Sequence, residues 1–194
     1  MRVFISILTE IYIFIYLYME RIHNTITYFG NFGPIFLFIY GSYLLWYKST
    51  LHYYYQIGFF ISAILNFISK GFLQLPRPSE DMREFNLAIQ NGRRFVFKNG
   101  IPHDIFGMPS GHSQASMFVT TFIFLSLKIS CITYVFLILS VLIMYQRVKD
   151  NHHTLLQVMV GGVSGIIYAY FFYYFAQQSL KGLIRAKQDD NGPI

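Results

Sequence analysis

The chain has 194 residues, of which 54% are hydrophobic, 20% aromatic and 12% charged, and its formal net charge is +6. Soluble globular domains usually carry about 25% charged residues, so this composition excludes an ordinary soluble domain and favours a membrane protein. The single cysteine, Cys131, excludes an intrachain disulfide.

Apolar runs long enough to cross a hydrocarbon core, which takes about 20 helical residues, recur along the chain. The predicted spans, in chain order, are 3–19, 32–47, 53–73, 109–127, 131–145 and 153–176. The second and fifth are short and the first contains Glu10, so five spans with an interfacial first helix is the nearest alternative. The sequence therefore predicts an all-α fold, a polytopic membrane bundle of about six helices that forms one domain over residues 1–194.

Two segments lack a sustained apolar pattern. Residues 79–108 carry turn residues at 79–81, 91–94 and 99–102, which predicts a lid loop between the third and fourth spans. Residues 177–194 mix basic and acidic side chains and end in Asn-Gly-Pro-Ile, which predicts a C-terminal tail with a short amphipathic piece and a frayed end.

Three polar fragments, 70–78, 109–112 and 147–153, lie at the ends of apolar runs. They supply three cations, two histidines and a helix start: Lys70, Arg77, Arg147, His112, His153 and Pro109-Ser110-Gly111. If the spans alternate in direction, the end of the third, the start of the fourth, the end of the fifth and the start of the sixth share one side. The three fragments are therefore predicted to meet at one membrane face.

This set of residues suits a phosphate group. Phosphoryl transfer spreads negative charge over the equatorial oxygens, so fixed cations and backbone donors supply most of the stabilisation. Lys70, Arg77 and Arg147 are the predicted cations, and the planar fork of arginine can make two parallel bonds to phosphate. At Ser110 and Gly111 a helix begins, and its first amides form a natural anion site.

The two histidines can divide the reaction between them. His153 is the predicted nucleophile, whose imidazole takes the phosphoryl group, and His112 is the predicted proton donor and later the base that activates water. A nucleophilic imidazole needs its other nitrogen protonated and held by an acceptor. Gln157 lies four residues on, on the same helical face, and its amide oxygen is the predicted acceptor.

The three fragments resemble the signature motifs of the type 2 phosphatidic acid phosphatase (PAP2) superfamily, which also includes glucose-6-phosphatase and vanadium haloperoxidases. The resemblance covers a motif-bearing core at residues 70–162. It implies the residue roles given above, a six-span membrane bundle, catalysis without a metal or cofactor, and a site on the lumenal or outer face.

Two positions depart from the superfamily pattern. Gln146 stands where a serine usually precedes the third-motif arginine, and Gln157 stands where an aspartate is usual. With Gln157, the runs 74–78 and 107–109 are similar to those of dolichyl diphosphatases, which carry glutamine at that place. That similarity implies a polyisoprenyl diphosphate substrate, an endoplasmic reticulum-type membrane, a lumenal site and cytoplasmic termini.

Two other functional interpretations stay open at this point. The same histidine chemistry suits a transferase that passes the phosphoryl group to another lipid or sugar. Alternatively, Gln146 and Gln157 could mark a catalytically impaired lipid-binding or structural membrane protein. Basic residues divide evenly between the two faces once the predicted ligands are set aside, so charge does not fix orientation. Lipid substrate and membrane lipids are the expected partners, and no nucleic-acid partner is expected.

Several residues near the motifs have structural interpretations. The glycines of 161–165 are predicted to permit close helix packing. His152 is predicted to be solvated, and His103 is predicted to be a loop residue.

Overall fold

The structure is a computed structural model that describes residues 2–98, 100–128 and 131–189. Its elements are the helices α1 (Arg2–Leu44), α2 (Ser49–Leu73), α3 (Met82–Gln90), α4 (Gly111–Leu127), α5 (Cys131–Lys149) and α6 (Leu155–Asp189), and the strands β1 (Phe95–Lys98) and β2 (Ile101–Asp104). The predicted polytopic helical bundle is confirmed, and the structure adds a small hairpin to it.

Helix α4 is the central element of the bundle. It packs against α1, α2, α5 and α6, and it buries Phe118 and Phe122 completely. The outer helices keep many large apolar side chains exposed, among them Ile64, Leu142 and Phe171. Within the described residues, α2, α5 and residues 155–183 of α6 are long and apolar enough to cross a membrane. The chain is therefore a multi-pass membrane protein, with apolar outer faces for lipid and its polar motifs at the helix ends.

The first two predicted spans are not separated in the structure. Helix α1 runs without a break through residues 20–31, where the sequence analysis placed the end of one span and the start of the next. Glu20 and Arg21 are polar but are good helix formers, so they interrupt the apolar pattern without ending the helix. At 1.5 Å per residue α1 is about 65 Å long. Because one continuous helix cannot turn back, α1 runs through both of these predicted spans in a single direction.

Residues 79–108 form a folded lid, not only the turns that the sequence predicted. Helix α3 begins after Asp81, whose carboxylate accepts the N–H groups of Arg83 (2.7 Å) and Glu84 (3.2 Å). Strands β1 and β2 pair antiparallel, from Phe95 opposite Asp104 to Lys98 opposite Ile101. The predicted turns have glycines with positive φ, Gly92 at 64° and Gly100 at 77°. The predicted turn residue Asn99 lies outside the described residues.

The lid has an apolar core of its own, made by Phe85, Ala88, Ile105 and Phe106. This core is separate from the core of the bundle. The lid therefore has apolar packing of its own, and hydrogen bonds to Lys70 and Phe67 join it to α2.

The predicted C-terminal tail is helical over most of its length. Helix α6 continues past Ala176 to Asp189, since residues 177–189 contain no Pro and only one Gly, Gly182. The predicted frayed end at 190–194 lies outside the described residues.

Candidate active site

The first fragment is held at the end of α2 by backbone contacts. Gln74 ends the helix in the left-handed region (φ 47°), and its N–H donates to the carbonyl of Lys70 (2.9 Å). The chain then pairs with the segment that follows β2, where the N–H of Gly107 donates to the carbonyl of Leu75 (2.7 Å). A bridge between Pro76 and Phe106 continues this pairing. Arg77 is thereby placed beside the stretch that leads into the second fragment.

Lys70 is buried, with 7% of its surface exposed, although it carries an ammonium group. Its Nζ donates to the carbonyl of Phe106 (3.0 Å) and to Oδ2 of Asp104 (3.3 Å). The Nε of Arg77 donates to the carbonyl of Asp104 (2.9 Å). Both cations of the first fragment therefore bind the end of β2 and the residues just after it.

The second fragment starts α4. Ser110 is the N-cap residue, but its side chain does not cap the helix and accepts instead from the hydroxyl of Ser113 (3.0 Å). Its N–H donates to the carbonyl of Gln157 (3.0 Å), which ties the helix start to α6. The first amides of a helix have no intrahelical acceptor. The amides after Ser110, beginning with that of Gly111, are therefore the donors that suit an anion.

Close packing against α6 fixes this helix start. A Cβ at Gly161 would collide with the backbone carbonyl of Ser110, and one at Gly165 would collide with the carbonyl of Gln114. The predicted role of these glycines in close helix packing is confirmed.

The third fragment is a tight connection between α5 and α6. The carbonyl of Arg147 accepts the N–H groups of His152 (3.1 Å) and His153 (3.0 Å), so the chain folds back onto the last turn of α5. Thr154 then caps α6, since its hydroxyl accepts the N–H of Gln157 (3.2 Å) and its own N–H donates to Oε1 of Gln157 (3.1 Å). Residues 154–157 thus form a capping box.

Gln157 also orients His153. Its Nε2 donates to the carbonyl of Pro76 (2.8 Å), which fixes the amide so that Oε1 faces Nδ1 of the imidazole (3.3 Å). Since Oε1 can only accept, the hydrogen of the ring lies on Nδ1 and Nε2 carries the free lone pair. His153 precedes α6 and is not part of it, yet the contact predicted from helical spacing is present.

Arg147 meets a residue of α1 that sequence analysis did not single out. Its guanidinium donates to Oδ1 of Asn31 (2.8 Å) and to Oε1 of Gln146 (3.3 Å), while Nε is buried without a partner among the described residues. Gln146 is fully buried, donates to Asp150 (2.6 Å) and packs on Gly30. The glutamine at position 146 therefore joins α1 to the end of α5.

His112 binds the same residue of α1. Its Nε2 donates to the backbone carbonyl of Asn31 (3.1 Å). Pro34, three residues further along α1, has no N–H to donate to the carbonyl of Gly30, and it disturbs the turn that contains Asn31. The signal for Asn31 in the sequence is weak, because it is one of several polar residues in the interval 20–31, just before the second predicted span.

Three cations lie close enough to His153 to lower the pKa of its imidazole. Burial, followed by the positive charges of Arg77, Lys70 and Arg147, lowers the pKa of His153 to about 3. Burial and the charge of Arg147 also lower the pKa of His152. The sequence predicted a solvated His152, whereas the structure shows a half-buried one. His103 lies on β2 and its Nε2 bonds to Glu80 (2.7 Å). His152 and His153 are therefore neutral at neutral pH unless an anion enters.

The structure brings together all of the residues that the sequence singled out: Lys70, Arg77, Ser110, Gly111, His112, Arg147, His153 and Gln157. It adds Asn31 from α1 and Asp104 from β2. Asp104 has no sequence signal, because it lies in a polar lid among other charged residues. The arrangement can bind a phosphate among three cations and present a neutral imidazole to it.

Residues 51–181 match the family model described as the PAP2 superfamily. The chain is similar to dolichyldiphosphatase 1 of Plecturocebus moloch, with 27% identity over 172 residues that cover 78% of this chain and 64% of the relative. It is also similar to dolichyldiphosphatase 1 of Homo sapiens, with 30% identity over 125 residues that cover 50% of this chain and 52% of the relative. The chain thus spans less than two thirds of the length of these curated relatives.

Among solved structures, the fold is similar to that of a transmembrane PAP2 type phosphatidylglycerolphosphate phosphatase from Bacillus subtilis. The TM-score is 0.58 and the identity is 20%, and the likeness covers 83% of this chain and 78% of the other. At this identity the likeness concerns the fold alone. The family match includes all three motif fragments and omits Asn31.

Proposed function

We propose, because the chain belongs to the PAP2 superfamily, that it is an integral membrane lipid phosphatase that hydrolyses a polyisoprenyl diphosphate through a phosphohistidine. One observation carries the proposal: a buried, neutral imidazole, held through Nδ1 by Gln157, lies in the field of three fixed cations. The similarity to two dolichyldiphosphatases supports dolichyl diphosphate as the substrate.

In the first step, Nε2 of His153 attacks the terminal phosphorus of the diphosphate. The bond from that phosphorus to the bridging oxygen breaks, and the polyisoprenyl monophosphate leaves with a proton from the protonated form of His112. Lys70, Arg77 and Arg147 bind the equatorial oxygens, together with the amides at the start of α4. The buried Nε of Arg147, unpartnered within the described residues, is a donor available for this purpose.

In the second step, water attacks the phosphohistidine and the P–N bond breaks. His112, now neutral, takes a proton from the water, inorganic phosphate leaves, and Nε2 of His153 is free again. The three cations provide the charge stabilisation that a metal provides in other phosphatases, so the proposed reaction needs no metal or cofactor.

The contacts of the two unusual glutamines favour an active enzyme over an impaired one. Gln157 bridges His153 to the carbonyl of Pro76, and Gln146 bridges α5 to α1. An aspartate at position 157 is one methylene shorter and has no N–H to donate to Pro76. We place the protein in an endoplasmic reticulum-type membrane, with the site on the lumenal face and the end of α6 in the cytoplasm.

The test is phosphate release by the purified chain in detergent. Polyisoprenyl diphosphate, phosphatidate and sphingosine phosphate are compared, each with and without a chelator. We expect the diphosphate to be the best substrate, the chelator to have no effect, and His153→Ala to abolish release. His52→Gln is the matched control, since His52 contacts Gln56 near the start of α2, away from the motifs. A chain that binds the lipid and releases no phosphate at any pH refutes the proposal.

Covalent trapping tests the intermediate separately. With a diphosphate labelled in its terminal phosphate, rapid quenching is expected to leave an acid-labile, base-stable label on wild type and none on His153→Ala. An added acceptor alcohol measures transfer against hydrolysis. Transfer that exceeds hydrolysis would replace the phosphatase assignment with that of a transferase.

A further inference from the structure

Asp104 has an unusual number of partners for a lid residue. Its carboxylate accepts from Nε (3.1 Å) and NH2 (3.0 Å) of Arg94, from Nζ of Lys70 (3.3 Å) and from the N–H of Phe106 (3.1 Å). Both carboxylate oxygens are thereby used, and one of their partners is a cation of the candidate site.

The backbone of the same residue binds the second cation of the first fragment. The carbonyl of Asp104 accepts from Nε of Arg77 (2.9 Å). Because Nε is the nitrogen used, Arg77 retains its two terminal NH2 groups for phosphate oxygens. One residue of β2 therefore holds both Lys70 and Arg77, which belong to α2 and to the loop after it.

Arg94 fixes Asp104 to the bundle. Its NH1 donates to the carbonyl of Phe67 on α2 (2.8 Å), and its guanidinium lies 3.7 Å from the centre of the Phe67 ring. A bidentate arginine and carboxylate pair is rigid and strong. The hairpin is thus bound to α2 at the turn that precedes Lys70.

The charge of this cluster explains why a carboxylate is tolerated in a phosphate site. Burial works to raise the pKa of Asp104, but the hydrogen bonds from Arg94, the charge of Lys70 and the N–H of Phe106 outweigh it and hold the pKa below its ordinary value. Asp104 is therefore ionised. Arg94 offsets this negative charge, so Lys70 and Arg77 keep a positive field for an anion.

We propose that Asp104 is a positioning residue, which sets the relative placement of Lys70 and Arg77 for phosphoryl transfer, with Arg94 as its counter-ion. The inference rests on the proposed phosphatase function. It makes the folded lid part of the catalytic arrangement, since the hairpin delivers the group that aligns Lys70 on α2 with Arg77 in the loop after it.

The kinetic test uses Asp104→Asn, which keeps the shape and removes the charge. The uncompensated Arg94 still attracts anions, so KM for the diphosphate and Kd for inorganic phosphate are expected to stay within about threefold of wild type or to fall. Alignment is lost, so kcat is expected to fall at least about tenfold. Asp104→Glu, which retains the charge, is expected to recover part of kcat. Asp81→Asn, at the cap of α3 in the same lid, is the matched control and is expected to keep kcat.

An unchanged kcat in Asp104→Asn overturns the inference. So does a loss of activity that merely follows the loss of folded protein, measured by thermal unfolding, because a residue with only a structural role would not lower kcat per folded molecule.

A second measurement does not depend on activity. Lys70 is tied to Asp104 and Phe106 in wild type, so its labelling by a water-soluble amine reagent, measured by mass spectrometry, is expected to rise several-fold in Asp104→Asn and not in Asp81→Asn. If wild type releases no phosphate but Lys70 labelling rises as described, the proposed function fails while the contact stands. If wild type is active and neither kcat nor labelling responds, the inference alone fails.

Discussion

Gly161→Ala tests the contact between α6 and the start of α4. A Cβ at position 161 would collide with the carbonyl oxygen of Ser110 and lie 3.1 Å from its nitrogen. Both atoms are backbone, so neither can rotate away. One turn earlier, the N–H of Ser110 donates to the carbonyl of Gln157 (3.0 Å), and this bond is expected to break when the loop is pushed outward.

The magnitude follows from three opposing effects. Replacing Gly by Ala inside a helix ordinarily stabilises by up to about 1 kcal/mol. Overpacking against a rigid neighbour costs about 1–3 kcal/mol, and a lost backbone hydrogen bond costs about 1 kcal/mol. The free energy of unfolding is therefore expected to fall by about 1–3 kcal/mol, and kcat is expected to fall because the amides after Ser110 are displaced.

The assay is thermal unfolding in detergent together with phosphate release. Gly182→Ala is the matched control in the same helix, since among the described residues the added Cβ would meet no atom within 4 Å other than the nearby backbone of α6 itself. It is expected to raise the unfolding temperature slightly and to keep activity. A Gly161→Ala protein that is as stable and as active as Gly182→Ala would refute the packing argument.

Three further predictions concern the histidines and their partners. Burial, then the charges of Arg77, Lys70 and Arg147, lower the pKa of His153 to about 3. NMR of labelled imidazoles, with His153→Gln for assignment, is therefore expected to show a neutral His153 ring at pH 5. A His153 ring that titrates near pH 6.5 would contradict this. Since the unfolded chain takes up that proton near pH 6.5, His153 is expected to lower the free energy of unfolding as the pH falls from about 6.5 towards 3 and to have no effect above that range. Asn31→Ala removes the Oδ1 acceptor of Arg147 (2.8 Å) and is expected to lower the free energy of unfolding by about 1.5–3 kcal/mol. Asn31→Asp, which keeps an acceptor, is expected to keep stability and to raise KM. Equal stability of the two variants would argue against the contact. Gln157→Asp loses the bond to Pro76 (2.8 Å) and is expected to lower phosphate release; a gain in activity would instead favour the interpretation of Gln157 as a mark of lost function.

The local chemistry of the candidate site can be predicted from the sequence. Cations, histidines and a helix start at the ends of apolar runs predict a phosphate site, because each residue type has a fixed chemistry and span parity brings the fragments to one face. The spacing of His153 and Gln157 predicts their contact, which depends on only four residues of chain. The glycines at 161 and 165 predict close packing, although not which backbone they meet.

Hydropathy was less informative about helix boundaries. Polar residues such as Glu20 and Arg21 interrupt an apolar pattern without breaking a helix, so α1 is continuous where the pattern predicted two spans. In the same way, the fold of the lid depends on the pairing of β1 with β2 and on a small core of its own. The segments that form them are short and flanked by polar residues, so they show little hydrophobic periodicity.

The sequence by itself determined the membrane class and predicted the phosphate chemistry and the residues proposed to carry it, because these follow from composition and from side-chain chemistry at short range. Only the tertiary structure decided that Asn31 binds both Arg147 and His112, and that Asp104 binds both Lys70 and Arg77. Asn31 lies 81 and 116 residues from its two partners. Contacts of this kind are set by how whole helices and the lid pack, and no local pattern encodes them.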